Sequence, residues 1–462
     1  MKSKHRLVPA AIAAALAYGL VLAPSGATAA DPDELTLEEQ LGSNIFFDKQ
    51  LSIRRNQACA TCHVPEAGWV GDDPKINEAG AVYEGSIKGK FGNRKPPSSA
   101  YATVSPIFDA DFSEDPENPL FFGGNFWDGR ATGWKLGNPA ADQAQGPFLN
   151  PVEQALPDNA CVVYRVCEGN YGDLAVDVWG TDACDINWPG MGVVNQQCVK
   201  PDGEVPLSPG AREKVDAAYD LIALAVAAFE DSPVSNAFTS KLDAVRAEVP
   251  GVEFTEQELL GREVFRGKGL CSACHVGSPP GDPEPPLLTD FTYDNLGVPK
   301  NPENPATIAD PEWADPGLAG FLETVPEYAM YADANLGKHK VPTLRNVGLG
   351  SCEAQEFAGL PPKNCITKAY MHNGYFKTLA QVVNFYNTRD VKPSCESLEP
   401  PIYDATVEVA MANGCWPPPE VGGDTVNTDE LGDLGLTPEE EAALVAFMMA
   451  MSDGYYDPDA GF

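Results

Sequence analysis

The chain has 462 residues, with 31 Lys and Arg against 67 Asp and Glu, a formal net charge of −36. So acidic a surface repels phosphate backbones and excludes nucleic acid as a partner; it suits plain solubility or the steering of a basic redox partner. The length is enough for two or three domains, each with its own core.

Lys2, Lys4 and Arg6 precede an Ala/Leu-rich run over 7–22 and the small residues Ala27-Thr28-Ala29, the layout of a secretory signal peptide. The run is short for a membrane span and contains Pro9, which leaves an uncleaved anchor as the weaker alternative. Removing residues 1–29 takes away three positive charges and no negative ones. The expected product is a soluble, periplasmic or otherwise exported chain of charge −39 without a membrane span.

Residues 35–47 read as an amphipathic helix starting near Thr36 or Leu37, with Glu38 and Glu39 where negative charge suits the helix dipole. It leads to Cys59-Ala60-Thr61-Cys62-His63. C-x-x-C-H is the attachment pattern of a c-type haem, in which two thioethers hold the porphyrin and the adjacent histidine ligates the iron. A thioredoxin-like pair or half of a zinc site would use the cysteines without needing that histidine. Gly, Pro and Asp then punctuate 65–128, which predicts ordered loop, and the aromatic stretch Phe121-Phe122-Gly123-Gly124-Asn125-Phe126-Trp127-Asp128-Gly129-Arg130 follows. Gln143 and Glu153, on either side of Pro147, are candidates for moving a proton between peroxide oxygens; read alone, they are more readily ordinary surface residues. Residues 156–210 carry Cys161, Cys167, Cys184 and Cys198 among turn residues and look like a disulfide-pinned insertion. Val215, Tyr219, Ile222, Val226 and Phe229 mark a helix over 211–229 whose stripe reads as plain core.

Pro250-Gly251 is the expected boundary between an N-terminal haem domain, 30–250, and a C-terminal one, 251–462. A helix over 255–265, with Thr255 as N-cap and Glu258 completing a capping box, runs into a second motif, Cys271-Ser272-Ala273-Cys274-His275. Proline-rich loops over 279–286 and 299–316, a short helix over 379–386 and a turn-rich stretch over 395–433 follow. A final helix over 437–451, capped at Thr437, packs Leu444, Val445, Phe447 and Met448 inward. The fold class is mostly α: two cytochrome c-like helical domains, each wrapping one covalent haem, with disulfide-pinned loop insertions. Beyond the four haem cysteines, Cys161, Cys167, Cys184 and Cys198 fall between the motifs and Cys352, Cys365, Cys395 and Cys415 after them, so two disulfides per half are expected.

There are five histidines. His5 goes with the signal, His63 and His275 are proximal ligands, and His339 and His372 remain. Between the motifs there is no other histidine, and Met191 is the only methionine. The first haem should therefore have an open sixth position where peroxide binds, unless a His or Met is donated from the other half.

Phe46-Phe47-Asp48, Phe126-Trp127-Asp128-Gly129-Arg130, Gly146-Pro147-x-x-Asn150-Pro151-x-Glu153, Val341-Pro342-Thr343-Leu344-Arg345-Asn346-Val347 and Tyr370-Met371-His372-Asn373-Gly374, in that order around two haem motifs, resemble the dihaem cytochrome c peroxidase/MauG family. The resemblance runs from about residue 35 to 451. It implies that Glu153 is the distal acid/base with Gln143 and Pro147 beside it. It also implies that Trp127 relays electrons between the haems, with Trp134, in a six-residue insertion, competing for that role. Tyr386, fourteen residues beyond His372, matches the second haem's distal ligand in MauG-like members, where ordinary bacterial members have methionine; Met371 and Met330 are the alternatives. The family's removable distal histidine is absent, which implies activity without prior reduction. A calcium ion is implied between the haems, with Thr367 and Asn93 as donors. Ala369, however, stands where the family has proline, and Asn93 is shifted from the asparagine position near Lys95.

The implied activity is reduction of hydrogen peroxide at the His63 haem with electrons relayed from the His275 haem and supplied by a small c-type cytochrome or cupredoxin. One alternative is MauG-like oxidative modification of a partner protein through a two-haem high-valent state; another is a non-catalytic dihaem electron carrier. The resemblance is compatible with a homodimer.

Overall fold

The computed structural model describes residues 35–277, 284–359, 361 and 363–456; the expected signal peptide and most of the 279–286 loop lie outside them. α1 (Leu37–Phe47) begins at Thr36, whose side chain and that of Glu39 close a capping box, and buries Leu41, Ile45 and Phe46. It packs on the long helix α8 (Pro209–Asp231), and the second half repeats the pairing with α10 (Glu256–Arg266) on α16 (Pro438–Met449). Both pairs close on a glycine. A Cβ on Gly42 would stand 1.9 Å from the Ala225 carbonyl oxygen, and one on Gly261 would stand 1.9 Å from that of Ala443. Each α1-like helix hands the chain to a short 3-10 turn, Cys59–Thr61 or Cys271–Ala273.

Between these anchors the first half carries α2 (Pro74–Glu78), α3 (Pro139–Leu149), α4 (Asn159–Cys167), α5 (Gly172–Trp179), α6 (Thr181–Cys184) and α7 (Met191–Gln197). The 156–210 stretch is thus largely helical rather than loop. α4 buries Val162, Val163 and Val166 within the first core, and the turn residues fall between helices too short to display a period. Disulfides Cys161–Cys198 and Cys167–Cys184 tie the ends of these helices to α4, and Cys352–Cys365 and Cys395–Cys415 lie in the second half, two per half as expected. The 65–128 stretch is mostly loop, with a hairpin of β1 (Asp109–Asp111) and β2 (Leu120–Phe122).

α9 (Lys241–Arg246) places Leu242 in the second core cluster, where buried Arg345 forks Asp243 at 2.8 and 2.9 Å. Packing of the second half therefore begins ahead of Pro250. Its remaining helices are α11 (Pro305–Ala309), α12 (Leu318–Leu322), α13 (Cys352–Phe357), α14 (Leu379–Thr388) and α15 (Val407–Asn413), the last within the stretch expected to be turns. β3 (Tyr293–Asp294) pairs with β4 (His339–Lys340), setting Tyr293 opposite Lys340 and Asp294 opposite His339.

The halves meet along a seam stitched by buried lysines. Lys340 Nζ donates to Ser105 Oγ (2.6 Å), Asn125 Oδ1 (3.1 Å) and the Gly124 carbonyl. Lys368 Nζ reaches the Ala67, Asn346 and Leu349 carbonyls, and Lys377 Nζ those of Ala79 and Gly374. Because a Cβ has no room at the helix contacts, Gly261→Ala should destabilise the fold by about 1–3 kcal/mol through overpacking, read as a lower denaturation midpoint. Gly210→Ala, where a Cβ meets open space, is the control.

Candidate active site

Two cavities of about 270 and 170 Å³ lie against the two C-x-x-C-H turns. In the first turn the Cys62 and His63 amides both return to the Cys59 carbonyl at 3.1 Å, which coils the motif so that Cys59, Cys62 and His63 all line one cavity. His63 Nδ1 lies 3.1 Å from the Trp69 carbonyl, and His275 Nδ1 lies 2.9 Å from that of Leu288. A carbonyl only accepts, so each Nδ1 carries the proton and each Nε2 is left bare, the orientation a metal-ligating imidazole needs. Burial pushes His63 down to about 4 and His275 below its ordinary range, so both rings are neutral.

Among the described residues Cys59, Cys62, Cys271 and Cys274 are the free cysteines. Burial pushes Cys62, Cys271 and Cys274 up to about 12 and Cys59 higher still. Reactive redox pairs need the opposite shift, and among the described residues no cluster of three or more metal-ligating side chains includes these cysteines, so the thioredoxin and zinc readings do not fit, whereas paired thiols lining a cavity fit thioether attachment.

α3 supplies one wall of the first cavity. Ala140, Ala144 and Phe148 are buried, while Gln143 and Pro147, one turn apart on another face, line the cavity. Pro147 has no N–H to return to the Gln143 carbonyl, and the helix ends two residues later. The following turn carries Glu153 into the same wall, where Asn150 Nδ2 donates to its carboxylate at 3.1 Å. Burial raises the Glu153 pKa, against the opposing pull of Arg130 and Asn150. His63 is the only histidine lining this cavity, and no methionine lines it; Met191 is 68% exposed on its surface helix.

Trp127 lines both cavities, its indole N–H donating to the Lys95 carbonyl at 2.8 Å. Trp134 lines neither: it is half-exposed and packs on Phe108, Phe321 and Tyr328. In the second cavity Tyr386 lies on the wall with Cys271, Cys274 and His275, and burial, then the neighbouring thiols, push its phenol well up. Met371 shares that wall, whereas Met330 is 79% exposed outside it. His339 and His372 stack 3.6 Å apart in the same wall. The carboxylates beside them are already committed, Asp315 to a fork from Arg94 and Glu420 to His372 and Asn373. Trp69, Phe126 and Met371 all hold φ between +62° and +69°, beside the motifs they position. Left-handed non-glycine backbone of this kind costs of order 1–3 kcal/mol each.

A family model described as di-haem cytochrome c peroxidase matches residues 37–249. The chain is 30% identical over 449 residues to the methylamine utilization protein MauG of Paracoccus denitrificans, covering 96% of each chain. The chain belongs to the dihaem cytochrome c peroxidase/MauG family. It is 24% identical over 425 residues to the cytochrome-c peroxidase IdrP1 of Denitromonas iodatirespirans, covering 89% of this chain and 80% of that one. The crystal structure of the diheme peroxidase BthA from Burkholderia thailandensis superposes with a TM-score of 0.63 at 26% identity, covering 92% of this chain and 89% of that one. Among the described residues no helix is long and apolar enough to cross a membrane.

A member of this dihaem family carries two c-type haems, and both cavities fit them: each offers two free thiols, an oriented histidine and apolar walls. The family's calcium fits less well. The Thr367 carbonyl accepts from Asn77 Nδ2 at 2.9 Å, and that of Asn93 from Asn304 Nδ2 at 2.9 Å. Two residues of the first cavity escaped the sequence reading. Arg130, stacked 3.9 Å over Phe126 and paired with Asp128, supplies the positive charge that bears on Glu153. Glu230, buried and pushed up to about 8 by that burial, lies one turn beyond Val226 on the stripe taken as core, and that spacing is the signal that marks it. In the dihaem protein, infrared titration should find the Glu153 carboxyl still protonated above the ordinary glutamate range, with its band absent in Glu153→Gln. Arg130→Gln, by removing the charge that lowers this pKa, should move the midpoint further up.

Proposed function

We propose that this chain is an exported dihaem peroxidase that reduces hydrogen peroxide in the His63 cavity, using electrons that enter through the His275 site. The observation that carries this reading is the first cavity itself: the Glu153 carboxyl and the Gln143 amide line it together with His63, and no second histidine and no methionine stands among its lining residues to close it. The eight cysteines outside the motifs, all paired, suit an oxidising compartment.

Bound in these cavities, haem iron supplies the one-electron redox chemistry. Glu153 takes a proton from the peroxide oxygen nearer His63 and returns it to the departing oxygen, which leaves as water; two electrons and two further protons complete the conversion of one peroxide to two waters. The Gln143 amide orients the substrate and donates to the oxygen on which negative charge develops. Arg130 opposes the rise that burial imposes on Glu153 and so favours its base form. Trp127, held by the Lys95 carbonyl in the wall common to both cavities, is positioned to pass electrons between them. Tyr386 is assigned as the second site's distal donor. Burial keeps its phenol protonated, so a phenolate there would need a bound cation to stabilise it.

A tyrosine rather than a methionine in that position, together with the 96% coverage of MauG, favours a second reading in which the electrons come from side chains of a partner protein. Rapid mixing of the holoprotein with peroxide separates the two. Prompt return of the resting spectrum as ferrocytochrome c or reduced cupredoxin is consumed supports peroxide removal; an oxidised spectrum of both haems that persists until a protein substrate is added supports modification. A resting ferric protein without a high-spin signal would sink both and leave an electron carrier. Glu153→Gln should lower kcat/KM for peroxide by about 10²- to 10⁴-fold with both haem spectra intact. Tyr386→Met should raise the reduction potential of the second haem, read by spectroelectrochemistry, because a neutral thioether replaces an anionic donor.

A further inference from the structure

Two of the buried lysines lie close enough for the charge of one to bear on the other. Lys95 is 8% exposed and lines the first cavity. Its carbonyl holds the Trp127 indole at 2.8 Å, its amide donates to the His372 carbonyl at 2.7 Å, and its Nζ donates to the Pro96 carbonyl at 2.9 Å. Lys368 is 4% exposed, and its Nζ lies 2.9, 3.0 and 3.2 Å from the carbonyls of Ala67, Asn346 and Leu349. An ammonium has three N–H donors and a neutral amine only two, so a cradle of three carbonyls is built for the charged form. Burial and then the Lys95 charge push Lys368 down to about 7, while the three carbonyls give its charged form an acceptor for every N–H. Main-chain carbonyls are also the oxygen ligands that calcium takes.

We infer that the Lys95 and Lys368 side chains, held by main-chain carbonyls, take the place of the calcium expected beside Thr367, and that this protein holds no calcium there. Lys368 follows directly on Thr367, the expected calcium donor, and the Thr367 carbonyl is already engaged by the Asn77 amide. The other expected donor, Asn93, has its carbonyl engaged by Asn304. A dication lodged beside Thr367 would face the Lys368 ammonium and the nearby charge of Lys95, which itself bears on His63, in a low-dielectric interior. Two covalently tethered amines replace one exchangeable divalent ion, so dependence on calcium is lost.

The test is elemental analysis of the purified dihaem protein together with absorption and electron paramagnetic resonance spectra before and after EGTA. The expected result is calcium well below one ion per chain, with spectra and thermal midpoint unchanged by the chelator. Stoichiometric calcium, or an EGTA-induced spectral change that calcium reverses, overturns the inference. Lys95→Asn removes a charge and offers an oxygen donor, so its thermal midpoint should fall and recover with millimolar calcium, to which the wild type is indifferent. A variant with wild-type spectra, stability and calcium indifference would show that the ammonium does no such work and also overturns the inference. If the variant fails to fold, the wild-type measurements decide alone.

Discussion

The structure depends on how three ammonium groups of the second half are satisfied once water is removed. A lysine in a protein interior is costly unless each N–H finds an oxygen. Lys340, Lys368 and Lys377 each reach a carbonyl of the first half, at Gly124, Ala67 and Ala79, and complete their sets with side chains of that half or carbonyls of their own. Displacing one half from the other would strand these charges, so the seam has one low-energy register. The Trp127 indole donates to the Lys95 carbonyl and the Lys95 amide donates across that seam to the His372 carbonyl, so the walls shared by the two cavities inherit the same fixed alignment.

On this frame the same scaffold is used twice with different linings. In each half a capped helix delivers a C-x-x-C-H turn, and a carbonyl-bound imidazole faces a cavity. The first cavity is then lined by two carboxyls, Glu153 and Glu230, and an amide, Gln143, and the second by a phenol and stacked imidazoles. The difference arises after the repeated part, in α3 and its trailing turn for one half and in α14 for the other. Chemistry is thereby assigned by the segments that follow the motif, while attachment is left common to both.

Much of this was legible in the sequence. Capping boxes at Thr36, Thr255 and Thr437 mark helix starts because the signal is local, a hydroxyl and a carboxyl three residues apart. The haem motifs and the even split of eight cysteines are equally local or countable. The helices α4–α7 were not legible, since none is longer than nine residues and their stripes are too short to repeat. Gln143 and Glu153 needed the family motif to be singled out, because what distinguishes them is enclosure by residues far along the chain. The seam lysines illustrate the limit best: Lys368 and Ala67 are 301 residues apart, and nothing near either announces the partner.

At Gly42 and Gly261 helix meets helix with bare main chain between them, so no side chain is available there to act as a spacer of adjustable size. The separation of each helix pair is consequently a matter of atomic radii. Side chains flanking these crossings can change size without altering how closely each helix that leads into a C-x-x-C-H turn is held to its partner.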